Sequence, residues 1–272
     1  MKKFEVENHH ASWLPDGDWK LAFADEFDAP ELNRDVWDYR LSMMGHRFPA
    51  WVADGVTMDG HSHAVFTVIQ DENGNPVSAQ LQTGYNFMDE PIKRTTFGKD
   101  ILQWNIGKLR KSKYLHAYGY YECRCKVPQT NGWWPAFWIQ SPVIGASLDP
   151  ADTGGEIDIM ECFQQDTLQS HYVITGGYGQ DCTSEHVGGG TFDHRVFHRF
   201  GLLWDETGYT FYVDGVEDGK IEKFQTARPE FILLTTEVKG YRRNEERLPE
   251  PAAFDSIGDQ FIVDYVRVFD KV

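Results

Sequence analysis

Eleven short runs of alternating apolar and polar residues, each closed by Gly, Pro, Asn or Asp, leave this chain almost no room for helical periodicity. The runs fall at 20–25, 65–70, 77–83, 118–128, 134–140, 156–163, 170–175, 198–205, 209–213, 230–238 and 260–269. Asp71-Glu72-Asn73-Gly74-Asn75 and Asp214-Gly215 have the composition of hairpin turns, and Asp205-Glu206-Thr207-Gly208 joins two runs in the same way. Strands at this density predict an all-β sandwich of two curved antiparallel sheets. No linker, repeat or composition break divides the 272 residues, so a single domain is expected over 1–272, with its core at about 18–270. Irregular stretches at 41–60, 84–105, 141–155, 176–197 and 239–259 are rich in Gly, Pro, His and aromatics, as loops that wall a binding site are.

One run differs from the rest. Glu156-Ile157-Asp158-Ile159-Met160-Glu161 sets three carboxylates among apolar residues directly after Gly154-Gly155. In a regular strand Glu156, Asp158 and Met160 share a face, and Glu161 points into the core unpaired, which is costly. One extra residue absorbed as a β-bulge at Ile159-Met160 returns Glu161 to the acidic face. Glu156 and Glu161 are then spaced like i and i+4, roughly 13 Å between Cα atoms, and side chains leaning inward can close this to about 5–5.5 Å. Three crowded acids raise the proton affinity of at least one, giving a proton donor beside an anion. Glycoside hydrolysis requires that pair.

Composition narrows the partner. Hydrophobic content of 41% supplies a core, and aromatic content of 14% leaves rings to spare for the apolar faces of sugars. A formal net charge of −16 argues against nucleic acid and disfavours a polyanion. One stretch runs the other way: Lys93, Arg94, Lys99, Lys108, Arg110, Lys111 and Lys113 could be solvated strand edges or contacts for sulfate or uronate groups. No apolar run is long enough to span a membrane. Met1-Lys2-Lys3 starts like a leader, but a polar segment follows, so the chain reads as intracellular or as a mature form. Cys123, Cys125, Cys162 and Cys182 lack metal-type spacing and read as isolated thiols, a 162–182 bridge being the alternative.

Other residues are candidates for the walls of the site. Trp134 and Trp138 share a strand face by even spacing and suit pyranose stacking. His171, on the next strand, reads as a partner for the acids or a sugar hydroxyl, or as a structural histidine. No zinc-like spacing accompanies it. Arg47 and Trp51, in a loop with Phe48, read as a sugar subsite or a self-packed loop, and Glu237 and Arg242 follow a late strand that could reach the same face.

Taken together, the chain resembles glycoside hydrolase family 16. The acidic run looks like the family's E-x-D-x-x-E signature in its bulged form. Supporting matches follow in order: Asp25-Glu26-Phe27 with Trp37, Tyr118-Gly119-Tyr120-Tyr121-Glu122-Cys123-Arg124, Trp134-Pro135-Ala136-Phe137-Trp138, Phe211-Tyr212-Val213-Asp214-Gly215 and Val263-Asp264-Tyr265-Val266-Arg267-Val268. The resemblance implies a jelly-roll (concanavalin-like) sandwich with a concave cleft, and endo-cleavage of a β-linked polysaccharide with retention. It makes Glu156 the nucleophile, Glu161 the acid/base and Asp158 the residue that orients the nucleophile. It requires no cofactor, and it allows a structural calcium near Glu26 and Asp264. A monomer acting in a secreted, periplasmic or cell-surface setting is expected. Two departures from the glucanase pattern lean toward a galactan of the agar, porphyran or carrageenan class. The early loop reads Ser42-Met43-Met44-Gly45-His46-Arg47-Phe48-Pro49-Ala50-Trp51 where glucanases usually carry a Trp-Gly-Asn-x-Glu-like stretch, and Thr175 stands where a second histidine is usual. An endo-β-1,3-glucanase is the alternative. A transglycosylase would use the same residues, and a non-catalytic sugar-binding sandwich would not need the acids.

Overall fold

The computed structural model describes residues 1–90, 92–97, 102–107, 110–176, 181–242 and 246–272, with 92–97 and 102–107 as backbone. Two antiparallel sheets face each other. The first has seven strands in the order Thr183–Val187, His171–Thr175, Glu156–Glu161, Trp133–Gln140, Phe231–Val238, Gln80–Gln82 and Asp38–Tyr39. The second has eight: Val216–Ile221, Gly208–Val213, His198–Asp205, Gly119–Lys126, Gln260–Lys271, Ala64–Thr67 and Val56–Met58 in line, with Trp19–Asp25 also on the Gln260–Lys271 strand. The expected sandwich is present, and each of the eleven runs lies on at least one strand.

Alternation explains the layers. Phe137, Ile139, Ile157, Ile159, Val173, Ile232 and Leu234 from the first sheet meet Tyr121, Cys123, Phe200, Leu202, Phe211, Val263 and Val268 from the second. All are fully buried. The Asp214-Gly215 hairpin takes φ of 48° and 77°, the left-handed pair that matches strand twist in a two-residue turn. Several strands were not expected, and the sequences of those named here say why. Thr183–Val187 and Val216–Ile221 are mostly polar edge strands, and Lys2–Phe4 pairs with Ser12–Leu14 ahead of the expected core. That first hairpin lays Leu14 and Phe4 over Phe269 on the outer face. Residues 92–97 and 102–107 pair as a hairpin within the stretch expected to be irregular. All four cysteines are free, so the 162–182 bridge is absent.

A buried guanidinium ties the termini together. Arg267 has no exposed surface and stacks on Tyr265 with its central carbon 3.6 Å from the ring centroid. It donates from Nε and Nη2 to both oxygens of Glu26, each at 2.7 Å, and from Nη1 to the His10 carbonyl and Ser12 Oγ. Removing one partner of such a pair strands the other charge in the interior. Arg267→Ala is expected to lower the unfolding free energy by about 3–5 kcal/mol in urea denaturation.

Candidate active site

The acidic strand pairs with Trp133–Gln140 through an offset. Gln140 faces Glu156, Ile139 faces Ile157, and Trp138 faces Asp158; then Phe137 faces Met160 and Ala136 faces Glu161. Ile159 is the extra residue, so the bulge lies where the residue pattern requires it. Glu156, Asp158 and Glu161 therefore share a face with Trp138 and Trp134, while Ile157, Ile159 and Met160 fill the core. The entry to the strand is braced from behind by Glu230. This residue is fully buried and accepts from the Gly155 amide at 2.9 Å, and burial holds its carboxyl well above the usual range.

The acids line a cleft of about 220 Å³ with Arg40, Met43, Met44, Asn86, Met88, Asp89, Trp134, Trp138, Gln140, Thr235, Glu237 and Arg242. Gln140 Nε2 donates to Glu156 at 2.7 Å, and Trp138 Nε1 donates to Thr235 Oγ1 at 2.9 Å. Trp134 packs against Phe163 and hydrogen-bonds Glu161. Glu237 is buried, ion-paired with Arg242 and reached by Gln80 Nε2.

Electrostatics separates the acids. Burial is the largest influence on Asp158, followed by Glu161 and Glu156, and together they hold its carboxyl well above the usual range. Burial, then the Glu156 charge, pushes Glu161 up to about 7, with the Arg242 guanidinium opposing. Glu161 is thus a carboxylic acid that keeps its proton near neutrality.

The structure brings Glu156, Asp158, Glu161, Trp134, Trp138, Glu237 and Arg242 together, and it removes three other candidates from the cleft. His171 points the opposite way, because Tyr172 faces Asp158 in the ladder and puts odd-numbered residues of that strand in the core. Trp51 is fully buried against Phe48, with ring centroids 4.5 Å apart, so the self-packed loop is the correct description. Arg47 is exposed and donates to the Leu41 and Phe48 carbonyls; it lines a neighbouring hollow instead of the cleft. Glu26 and Asp264 do not fit a calcium ion. Arg267 occupies Glu26, Arg124 and His10 occupy Asp264, and no group of three metal-type ligands occurs among the described residues. Of the basic stretch, Arg110 donates to Asp38 and Tyr85, and Lys113 to the Arg34 and Trp37 carbonyls. Lys99 and Lys108 lie outside the described residues, and Lys93 and Arg94 are described by backbone only.

Sequence reasoning missed Arg40, which is buried between the cleft and the core. Its Nε donates to Asp89 at 3.0 Å, and its guanidinium lies 4.9 Å from the Trp51 ring and 5.3 Å from that of Trp138. It missed Met43 and Met44 as well, which a small hairpin holds over the cleft. A single Arg or a Met pair carries no local pattern, so no signal in the sequence marked them.

A two-sheet sandwich whose concave face holds a protonated glutamate, a second glutamate and tryptophan walls has the architecture of a glycoside hydrolase. Comparison with known proteins agrees. The family model for glycosyl hydrolases family 16 matches residues 66–235, and the chain belongs to that family. It is 24% identical to glucan endo-1,3-beta-glucosidase A1 of Niallia circulans over 92% of this chain and 38% of that protein. It is 25% identical to a beta-glucanase of Rhodothermus marinus over 92% of this chain and 85% of that one. The chain spans between 31% and 46% of the length of three curated relatives that it matches, that glucosidase and two endo-1,3-1,4-beta-glycanases of Rhizobium meliloti. The laminarinase catalytic domain of Thermotoga maritima shares the fold, with a TM-score of 0.61 at 21% identity over 94% of this chain and 100% of that one. Among the described residues no helix is long and apolar enough to cross a membrane.

Proposed function

We propose that the chain is an endo-acting, retaining glycoside hydrolase that cuts internal linkages of a β-1,3- or mixed β-1,3-1,4-glucan. The observation that carries the reaction type is the bulge at Ile159, which turns a glutamate with a proton affinity near 7 onto the face of Glu156. In the first step the Glu156 carboxylate attacks the anomeric carbon. The glycosidic C–O bond breaks, and the departing oxygen takes the proton of Glu161. In the second step the Glu161 carboxylate removes a proton from water, which attacks the glycosyl–Glu156 ester and releases the sugar. Asp158, kept neutral by its surroundings, offers an O–H to the neighbouring carboxylate and so steers Glu156. Trp134 and Trp138 supply ring faces beside the scissile bond.

Two observations support a glucan over the galactan suggested by sequence. Curated relatives include a glucan endo-1,3-beta-glucosidase and a beta-glucanase. Two of the residues that leaned toward galactan, Thr175 and Arg47, lie away from the acids, while Met43 and Met44 of the same early loop line the cleft. Thr175 is on the core side of its strand, bonded to Thr183 Oγ1 at 3.1 Å, and Arg47 is outside the cleft. The reading extends to action on extracellular polysaccharide, the setting such substrates occupy.

A panel of laminarin, lichenan, agarose, porphyran and carrageenan, read by reducing ends and oligosaccharide sizing, tests this. Release of short oligosaccharides from laminarin or lichenan is expected, with the galactans intact. Cleavage of a galactan alone would reverse the substrate assignment, and binding without any cleavage would favour a sugar-binding sandwich.

A further inference from the structure

The bulge that makes the site leaves a backbone group without a ladder partner. Ile159 has no counterpart on the Trp133–Gln140 strand, and pairing to the His171–Thr175 strand stops at Asp158 and Tyr172. The Ile159 side chain is fully buried, so its carbonyl needs a partner inside the protein. His171 provides one, with Nδ1 2.8 Å from the Ile159 oxygen. The ring is fully buried and stacked on Phe211, with centroids 4.4 Å apart and planes 6° apart. Its Nε2 lies 3.0 Å from Asp218 Oδ2, on the edge strand Val216–Ile221 of the opposite sheet. The Gly189 amide donates to the same oxygen at 2.7 Å.

Both ring nitrogens therefore face oxygen acceptors. A neutral imidazole has one N–H and satisfies one of them; a second proton is needed to serve both. Burial outweighs the Asp218 charge and sets the proton affinity of the ring below the usual imidazole range. Asp218 is the charged group facing the ring; the other neighbours are Phe211, Ile159 and the ladder partner Val187.

We infer that His171 is a positioning residue for Glu161: braced on Asp218 across the sandwich, it clamps the Ile159 carbonyl and so fixes the bulge that turns Glu161 into the cleft. It acts from the core side, two residues from the glutamate it orients, and touches no substrate. The inference rests on the reading of Glu161 as acid/base.

His171→Phe keeps an aromatic ring against Phe211 and removes both polar links. It is expected to lower kcat by about tenfold to a hundredfold per folded molecule with KM little changed, the loss typical of a catalytic group displaced by about 1 Å. It is also expected to move the alkaline limb of kcat/KM downward as Glu161 relaxes away from Glu156. Asp218→Asn is a graded test, because the oxygen it replaces accepts from both His171 and the Gly189 amide and the amide side chain can serve one of them; a loss of kcat smaller than that of His171→Phe is expected, with the alkaline limb moved in the same direction. Asp218→Leu removes the brace altogether and falls with His171→Phe. A merely structural role predicts a lower melting temperature with kcat per folded molecule and the pH limb unmoved, and that result overturns the inference. Asp218 is 29% exposed, so Asp218→Leu carries the same test should His171→Phe fail to fold. Glu161→Gln, assayed alongside, separates the two readings. If it is inert while His171→Phe and Asp218→Leu are unimpaired, only the positioning role falls; if it stays fully active, the assignment of Glu161 falls.

Discussion

Glu156→Ala and Glu161→Ala are each expected to reduce kcat on the polysaccharide by at least about a thousandfold while leaving the unfolding transition in place. The two losses differ in kind. Without Glu161 the leaving oxygen departs unprotonated, so an aryl glycoside with an acidic phenol, which needs no proton, should recover most of the first step. Without Glu156 no ester can form, and the nature of the leaving group gives no relief. Azide completes the distinction. A small anion can fill the space of the missing Glu156 carboxylate and attack the anomeric carbon directly, giving a glycosyl azide of inverted configuration. In Glu161→Ala azide attacks the glycosyl–Glu156 ester and gives the retained configuration. Ordinary turnover by either variant, or the same azide product from both, would refute the assignment. Fold loss is not expected from either change, because both side chains face the cleft and the core residues of their strand are Ile157, Ile159 and Met160.

The second large effect is on pH. Glu161 must carry its proton to act as the acid, and its surroundings push it up to about 7. kcat/KM should therefore fall about tenfold per pH unit above that point, reaching about a hundredfold loss two units beyond it. The guanidinium of Arg242 opposes the rise, so Arg242→Gln should shift the alkaline limb upward. Stability follows the same shift with a definite sign. The unfolded chain releases this proton near 4.5, and the folded chain keeps it to about 7. As pH climbs through that window the unfolded state ionises first, and the folded state loses stability relative to it. Glu161→Gln removes the ionisation and should be more stable than the parent above neutrality, by roughly 1–3 kcal/mol, although inert. An alkaline limb unaffected by Arg242→Gln, or a less stable Glu161→Gln at pH 8, would show that crowding does not set the proton affinity of Glu161.

What could be read in advance was whatever depends on neighbours in the chain. The bulge at Ile159 was legible because a glutamate and two isoleucines cannot all satisfy a strict period of two. The pairing of Trp134 and Trp138 with the acids followed from the same parity. His171 shows the limit. Alternation divides its strand into two faces, but only the register opposite Asp158 says which face is the cleft, and that register placed Tyr172 there instead. Trp51 and Arg47 failed for a related reason, since loop residues have no periodicity and Trp51 finds its place against Phe48 and Arg40.

The amino-acid sequence alone determined the sandwich, the pair of glutamates proposed for catalysis and the kink that joins them, because each is dictated by steric and solvation rules acting over a few adjacent residues. Only the tertiary structure decided the rest: the Arg267–Glu26 pair where calcium was allowed, Arg40 behind the cleft, and the imidazole behind the bulge. These contacts join residues far apart in the chain, and their energies exist only once two sheets have closed and excluded water between them.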